Sequence, residues 1–346
     1  MALTRREHVV ADENQTDVGL WAMADLATPM AVRVAATLRI ADHITRGLLT
    51  APELAKAANA DADTLERVLR HLAQAGLLNR DESGRYSLTA RGEALRDDHP
   101  ARTRAMLDIE TAIGRADLSF VQLLHTVRTG EPAFPSQFGR SFWDDLSADP
   151  VRSASYDAQM GSDVAADAPD IVSAYDWGSL RHVVDVGGGN GALLIAMLRT
   201  HPALRGTVFD LPDTAEAALK ALAAAGLAGR SDVVRGSFFD PLPPGAGGYV
   251  LSAILHDWDD KAARAILRRC AEAAGTTAPV IVVEKIGADG ESLRTEMDLR
   301  MLVYFGGRER GVAALSILAA SSGLRVAAVH PAGNLAVVEL RCQRER

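Results

Sequence analysis

Apolar residues recur at helical spacing from Leu20 to about Leu49, at Leu26, Met30, Val34, Leu38 and Ile44, in a stretch rich in Ala and Leu. Thr28-Pro29 marks a helix start, with Pro in the first turn. So many apolar side chains need cover, either from a partner subunit or from the C-terminal half of the chain. Thr50-Ala51-Pro52-Glu53 then reads as an N-cap, a near-start Pro and a capping-box Glu opening a short helix through Ala58. Asp61 or Asp63 caps a second helix, Thr64 to Ala75, whose apolar face is Leu65, Val68, Leu69 and Leu72, and Gly76 ends it. The runs Leu77–Arg80 and Arg85–Leu88 flank Asp81-Glu82-Ser83-Gly84, which predicts a β-hairpin. Helix, helix, hairpin is a winged helix.

Asp97-Asp98-His99-Pro100 marks the boundary after it. Residues 101–130 read as helices, Glu131–Pro135 as a loop, Ser141–Leu146 as an aromatic-bearing segment and Pro150 to Ala174 as a helix. From about Arg181 the period changes. Short β-branched runs, His182–Val186, Thr207–Leu211, Val233–Gly236, Tyr249–Leu255, Val280–Lys285, Arg325–His330 and Ala336–Leu340, alternate with helical runs. That alternation predicts an α/β fold, a Rossmann-like, parallel, doubly wound sheet. Only Pro331–Leu335 separates the last two runs, so they form an antiparallel hairpin at its end. The expected organisation is an N-terminal helical and winged-helix domain over 1–100 and a second domain over 101–346, with a helical linker 101–178 and a core 179–346.

Composition narrows the function. The net charge is −8 across 346 residues, which argues against nucleic-acid or anionic-membrane partners. A winged helix can bind DNA through its second helix, but Thr64–Ala75 offers only Arg67, Arg70 and His71, partly offset by Glu66; a structural role is the reading taken, with a DNA-binding regulator as the alternative. Cys270 and Cys342 are the only cysteines, too few for a disulfide framework and without metal-ligand spacing. The charged N-terminus (MALTRREHVVADEN) has no apolar leader core, and no later stretch is apolar enough to span a bilayer. A soluble, cytoplasmic protein is expected.

The densest chemical signal is VVDVGGGNGALLIAMLRTHPALRGTVFDL, Val183 to Leu211. A strand enters the cluster Gly187, Gly188, Gly189 and Gly191, a helix leaves it, and a second strand ends at Asp210: a βαβ unit whose first turn exposes bare backbone to a ligand. Asp210 can accept both hydroxyls of a ribose. Gly187-x-Gly189-x-x-Ala192 fits a loose dinucleotide fingerprint, but Asp185 discriminates. A carboxylate beside the turn repels a pyrophosphate and attracts a cation. S-adenosylmethionine, with an ammonium, a sulfonium and a ribose, is the expected cofactor.

The second signal is LSAILHDWDD, Leu251 to Asp260. A strand runs into His256, and Asp259 or Asp260 caps the next helix. His256 then stands at the carboxyl end of a strand, where doubly wound sheets bind ligands. An imidazole titrating near neutrality there can take a proton from a substrate hydroxyl.

With DVGGGNG (Asp185–Gly191), FDLP (Phe209–Pro212), GSFFDPLP (Gly236–Pro243), LHDWDD (Leu255–Asp260), Glu284 after VIVV, and GGRER (Gly306–Arg310), the chain resembles the small-molecule O-methyltransferases that include plant caffeate-type and bacterial polyketide-tailoring enzymes. The resemblance covers nearly the whole chain and implies a methyltransferase sheet, a winged-helix dimerisation domain and a homodimer. It implies that Gly187 and its neighbours approach the methionine end of the cofactor, that Asp210 binds the ribose, that Leu211 is also cofactor-binding, and that Ser237 and Phe238 flank the adenine. Ser252 departs from the Lys usual in plant relatives, which weakens the cofactor contact expected there. His256 is implied as general base, with Glu284 and Glu309 orienting it. Tyr156, Met160, Asp257 and Met301 are implied at the acceptor. No metal is called for. The expected reaction is methylation of a phenolic hydroxyl on an aromatic polyketide or related acid; polyketide hydroxylation or decarboxylation by the same fold is the alternative.

Overall fold

The computed structural model describes residues 13–287, 289–292 and 294–343; most of the charged N-terminus read above lies outside them. The chain divides into two compact units, one ending at Arg115 and the other running from Ala116. The division falls later than the Asp97–Pro100 loop. The reason is Arg104, buried in the helix Thr103–Leu107, which pairs with Asp97 at 2.7 Å and reaches the Ala36 carbonyl at 3.4 Å. That segment packs with the first unit.

In the first unit the apolar stretch is broken into helices Glu13–Ala24, Ala27–Thr37 and Ile40–Thr45. The winged-helix elements follow as the sequence pattern implies. Glu53 accepts the Thr50 N–H at 2.9 Å at the start of Ala51–Ala58, and Asp61 accepts the Thr64 N–H at 2.9 Å at the start of Ala62–Gln74. Strands β1 (Leu78–Arg80) and β2 (Tyr86–Leu88) pair antiparallel. Their core is Ile40, Leu54, Leu69, Leu72 and Tyr86. Leu20, Trp21, Met23 and Leu26, at 61–87% exposure, lie outside it.

The second unit carries a seven-stranded sheet: β3 (His182–Val186), β4 (Arg205–Asp210), β5 (Ser231–Arg235), β6 (Gly248–Ser252), β7 (Val280–Glu284), β8 (Leu324–Ala332) and β9 (Leu335–Cys342). The order is β5-β4-β3-β6-β7-β9-β8, parallel from β5 to β7, with β9 antiparallel to both β7 and β8. The fold is α/β and doubly wound. Val183, Val184, Val186 and Val280–Val283 are buried, as strands covered by helices on both faces must be. The chain turns one way from β3 to β4 and the other way to β6, so the crevice beyond the carboxyl ends of β3 and β6 is the topological switch point. Both signal segments leave the sheet there.

Two local expectations are corrected. Residues 131–135 are not all loop: Pro132 precedes a helix Ala133–Phe138, because Pro135 falls in the first turn, where no backbone donor is needed. The strand expected to run into His256 stops at Ser252; Ala253 takes a positive φ of 54° and His256 sits on a 3₁₀ turn, Leu255–Asp257. Among the described residues no helix is long and apolar enough to cross a membrane.

Candidate active site

The glycine turn is built around two carboxylates. Gly187, Gly189 and Gly191 have φ of 72°, 59° and 79°, a region glycine adopts without penalty. At Gly188 the limit is space: a Cβ would lie 2.7 Å from the Asp185 carboxyl carbon. Asp210 Oδ2 accepts the Gly189 N–H at 2.8 Å, and Oδ1 accepts its neighbour Leu211's N–H at 2.7 Å. Each oxygen keeps one lone pair for a ligand. The Leu211 side chain itself is exposed.

Asp185 is 2% exposed and its Oδ2 has no hydrogen-bond partner. Burial, followed by the charge of Asp210, raises its pKa to about 7. Burial also raises Asp210, against the two backbone hydrogen bonds, and the charge of Asp157 adds to the rise. Asp157 was not singled out from sequence. It lies one turn before Gly161 on the helix Pro150–Ala174, and a Cβ on Gly161 would meet the Asn190 side-chain nitrogen at 2.3 Å, so this helix closes over the glycine turn. Asp185, Asp210 and Asp157 thus crowd one site, and among the described residues none is in an ion pair with a basic side chain. Asp185 is buried, and Asp210 and Asp157 are half-buried. Carboxylates so placed without a cation are costly, an arrangement suited to a cationic ligand.

The second half of the site is His256. Its Nδ1 lies 3.3 Å from Glu309 Oε1 and 3.4 Å from Glu284 Oε2, and its Nε2 lies 3.4 Å from Asp257 Oδ1. These are ion-pair contacts rather than aligned hydrogen bonds: Nδ1 and both glutamate oxygens lack a hydrogen-bond partner. Glu284 reaches the turn from the end of β7, its Oε1 accepting the Leu255 N–H at 3.0 Å. Glu309 follows Gly307, where a Cβ would lie 2.2 Å from the His256 carbonyl oxygen, and the Arg308 N–H donates to that carbonyl at 2.8 Å. Burial pushes the imidazole pKa down, but Glu284, Asp257 and Glu309 together outweigh it and raise it to about 10. Burial raises Asp257 to about 7 and raises Glu284 as well. Relative to the expectation of a histidine titrating near neutrality, the shift is upward: one imidazole faces three carboxylates, which hold its proton more tightly.

An aromatic wall connects the two halves. Trp143 stacks on Phe305 at 5.1 Å and on Trp258 at 6.2 Å, and Trp258 meets Phe238 edge-on at 5.7 Å. Tyr156 packs edge-on to Trp143 at 5.9 Å; burial, then the charge of Asp257 and later that of Asp210, raises its hydroxyl well above the usual range. Phe238 would lie 3.5 Å from a Cβ on Gly187, so the turn and this ring meet. Ser237 accepts the Phe239 N–H at 3.3 Å within its own turn. Ser252 is half-buried at the end of β6 and Met160 half-buried on the long helix. Met301 is buried, its carbonyl accepting the Gly307 N–H at 3.0 Å. The structure brings together Asp185, Gly187, Gly189, Asp210 and Phe238, and separately His256, Asp257, Glu284 and Glu309, with Tyr156 coupled to both. Ser252 ends β6, Met160 lies on the long helix Pro150–Ala174 and Met301 on the helix Thr295–Phe305.

The O-methyltransferase domain profile matches residues 120–325, and the O-methyltransferase dimerisation domain profile matches residues 21–98. The chain belongs to the O-methyltransferase family. Within that family it is 58% identical to a 2,7-dihydroxy-5-methyl-1-naphthoate 7-O-methyltransferase of Streptomyces carzinostaticus, over 93% of this chain and 97% of that one. It is 42% identical to an aclacinomycin 10-hydroxylase of Streptomyces purpurascens, over 93% of this chain and 88% of that one. Its structure is similar to a crystal structure of an O-methyltransferase from neocarzinostatin biosynthesis in complex with S-adenosylmethionine and 2-hydroxy-5-methyl naphthoic acid. There the TM-score is 0.90 and the identity 57%, over 94% of this chain and 99% of that one. The residues present fit S-adenosylmethionine: unpaired carboxylates and an unpartnered Asp185 oxygen at a glycine turn suit a ligand with two cationic centres.

Proposed function

We propose that this chain transfers the methyl group of S-adenosylmethionine to a phenolic hydroxyl of an aromatic polyketide-type acceptor, with His256 as the proton acceptor. The observation that carries the reading is His256 held among three carboxylates at the sheet's switch point, beside the glycine turn. S-adenosylmethionine supplies a methyl group on a sulfonium, already activated for transfer.

The glycine turn, Asp185 and Asp210 hold the cofactor, with Leu211 beside the ribose, Ser237 and Phe238 beside the adenine and Ser252 at the margin. Tyr156, Met160, Asp257 and Met301 serve the acceptor, which lies against the wall of Trp143, Trp258 and Phe305. A phenol has a pKa near 10, close to that of His256. Matched affinities make proton transfer from the phenolic oxygen to Nε2 nearly isoenergetic. Glu284 and Glu309 stabilise the imidazolium from the Nδ1 side, so the acceptor oxygen carries phenolate character in a dry site. The rest of the barrier is met by alignment.

The test is turnover of hydroxynaphthoic acids with S-adenosylmethionine by wild type and His256→Ala. The variant should bind S-adenosylhomocysteine as wild type does and lose about 10²–10⁴ in turnover. A variant keeping more than half the wild-type rate at neutral pH overturns the base assignment. Decarboxylated or hydroxylated products without methylation would instead favour the chemistry of the hydroxylase relative.

The enzyme acts as a homodimer through its N-terminal unit. The dimerisation profile and the exposed Leu20, Trp21, Met23 and Leu26 support this. Light scattering reporting a monomer at micromolar concentration would refute it.

A further inference from the structure

We infer that Arg310 is a positioning residue for the base: its guanidinium clamps the turn that carries His256 to the segment that carries Glu309. Arg310 is 6% exposed. One terminal nitrogen donates to the Leu255 carbonyl at 2.7 Å and to the Arg308 carbonyl at 3.1 Å. The other donates to the Trp258 carbonyl at 2.7 Å and to Asp260 at 2.8 Å, with Nε adding a 3.1 Å bond to the same Asp260 oxygen. Leu255 and Trp258 bracket His256, and Arg308 and Arg310 bracket Glu309. A planar fork with five donors can tie four such points at once; an ammonium cannot.

The clamp adds to two bonds on the same turn, the Arg308 N–H on the His256 carbonyl at 2.8 Å and the Leu255 N–H on Glu284 at 3.0 Å, and it matters because the imidazole itself is held loosely. His256 Nδ1 makes only ion-pair contacts at 3.3 and 3.4 Å and no aligned hydrogen bond, so its place between Glu284 and Glu309 depends on its backbone. A small cavity lined by Leu255, His256, Glu284, Arg308, Arg310 and Leu315 adjoins it. The groups that face His256 are Asp257 on its own turn, Glu284 from β7, and Arg308, Glu309 and Arg310 from the opposite segment. Tyr156, from the long helix, faces Asp257. Arg310 also holds the Glu284 carboxyl lower than burial alone would leave it.

The inference rests on His256 as base, and the experiment separates the two. Arg310→Lys keeps the charge and loses the fork. Turnover should fall roughly 10–100-fold, the scale of a small misplacement of a reacting group. Calorimetric affinity for S-adenosylhomocysteine should stay within about threefold, and the kcat/KM profile should move to lower pH as His256 drifts from its carboxylates. Arg310→Ala should recover turnover when guanidinium ion is added. In a His256→Ala background Arg310→Lys should cost little more, because both act on one function. Wild-type turnover and an unmoved pH profile in Arg310→Lys overturn the inference. So does an equal loss in the His256→Ala background, which would leave the base assignment standing. Loss of S-adenosylhomocysteine binding in both Arg310 variants also overturns it, marking Arg310 as a general stabiliser.

Discussion

Asp210 holds Gly189: one carboxylate oxygen at the end of β4 accepts the N–H in the middle of the glycine turn, at 2.8 Å. The residue expected to bind the ribose is thus also a brace for the backbone that approaches the rest of the cofactor. Asp210→Ala should lower S-adenosylhomocysteine affinity by about 1–3 kcal/mol, roughly 5–150-fold, since ribose hydroxyls and the Gly189 N–H lose an acceptor together. Asp210→Asn, which keeps one carbonyl oxygen, should lose less. Calorimetry giving equal affinities for wild type and Asp210→Ala would refute the assignment.

Asp185 should show opposite effects on stability and binding. Its folded pKa of about 7 lies above the ordinary aspartate value of 3.8. The ligand-free fold therefore takes up a proton more readily than the unfolded chain, and stability falls as pH rises through that interval. Above pH about 7 the full cost, on the order of a few kcal/mol, is present. Asp185→Asn removes it. Thermal melts without ligand should show the variant more stable than wild type near pH 8, with the gap closing toward pH 4. The same variant should bind S-adenosylhomocysteine more weakly. A variant less stable than wild type near pH 8 would contradict the account.

The reach of the sequence can be read from individual residues. The strand cores and the glycine turn were legible because β-branched runs and glycines at Gly187, Gly189 and Gly191 state backbone requirements directly. The doubly wound sheet, with His256 toward the carboxyl end of a strand, followed from alternation of strands and helices; the strand order that makes the switch point did not. The stop of β6 at Ser252 was not legible, because Ala253 carries no side-chain signal for its positive φ. Nor was the His256 pKa: Glu284 and Glu309 are distant in sequence, and their joint field exists only once the fold brings them to one imidazole. Arg310 was passed over within GGRER. Its signal was an arginine directly ahead of the apolar helix Val312–Ala320, where a buried cation needs several acceptors. Asp157 offered no pattern beyond an acidic residue on a long helix.

Trp143 is expected to act on the acceptor and not on the cofactor. It stacks on Phe305 and Trp258 but makes no ring contact with Phe238. Trp143→Ala should raise the acceptor KM by about 2–10-fold, the scale of lost aromatic pairing. S-adenosylhomocysteine affinity should hold. Parallel loss of both affinities would place Trp143 in general packing rather than at the acceptor.

The pH dependence tests the base most sharply. With His256 at about 10, most free enzyme at neutral pH carries an imidazolium, and the form able to take a phenolic proton grows about tenfold per pH unit. kcat/KM should therefore climb from pH about 7 toward 10 and fall once the acceptor ionises in solution. A histidine at 6.5 would give a plateau over the same range. Glu309→Gln removes one negative charge from the Nδ1 side, so the climb should end at lower pH. Stability carries the same sign. A histidine whose folded pKa is raised from 6.5 to about 10 stabilises the fold fully below 6.5, and that contribution is lost as pH rises through 10. The melting deficit of His256→Ala should accordingly be greatest near pH 6 and shrink toward pH 10. A flat kcat/KM between pH about 7 and 9 in wild type, together with an unmoved profile in Glu309→Gln, would mean that the three carboxylates do not set the protonation of His256, and that alignment alone drives the transfer.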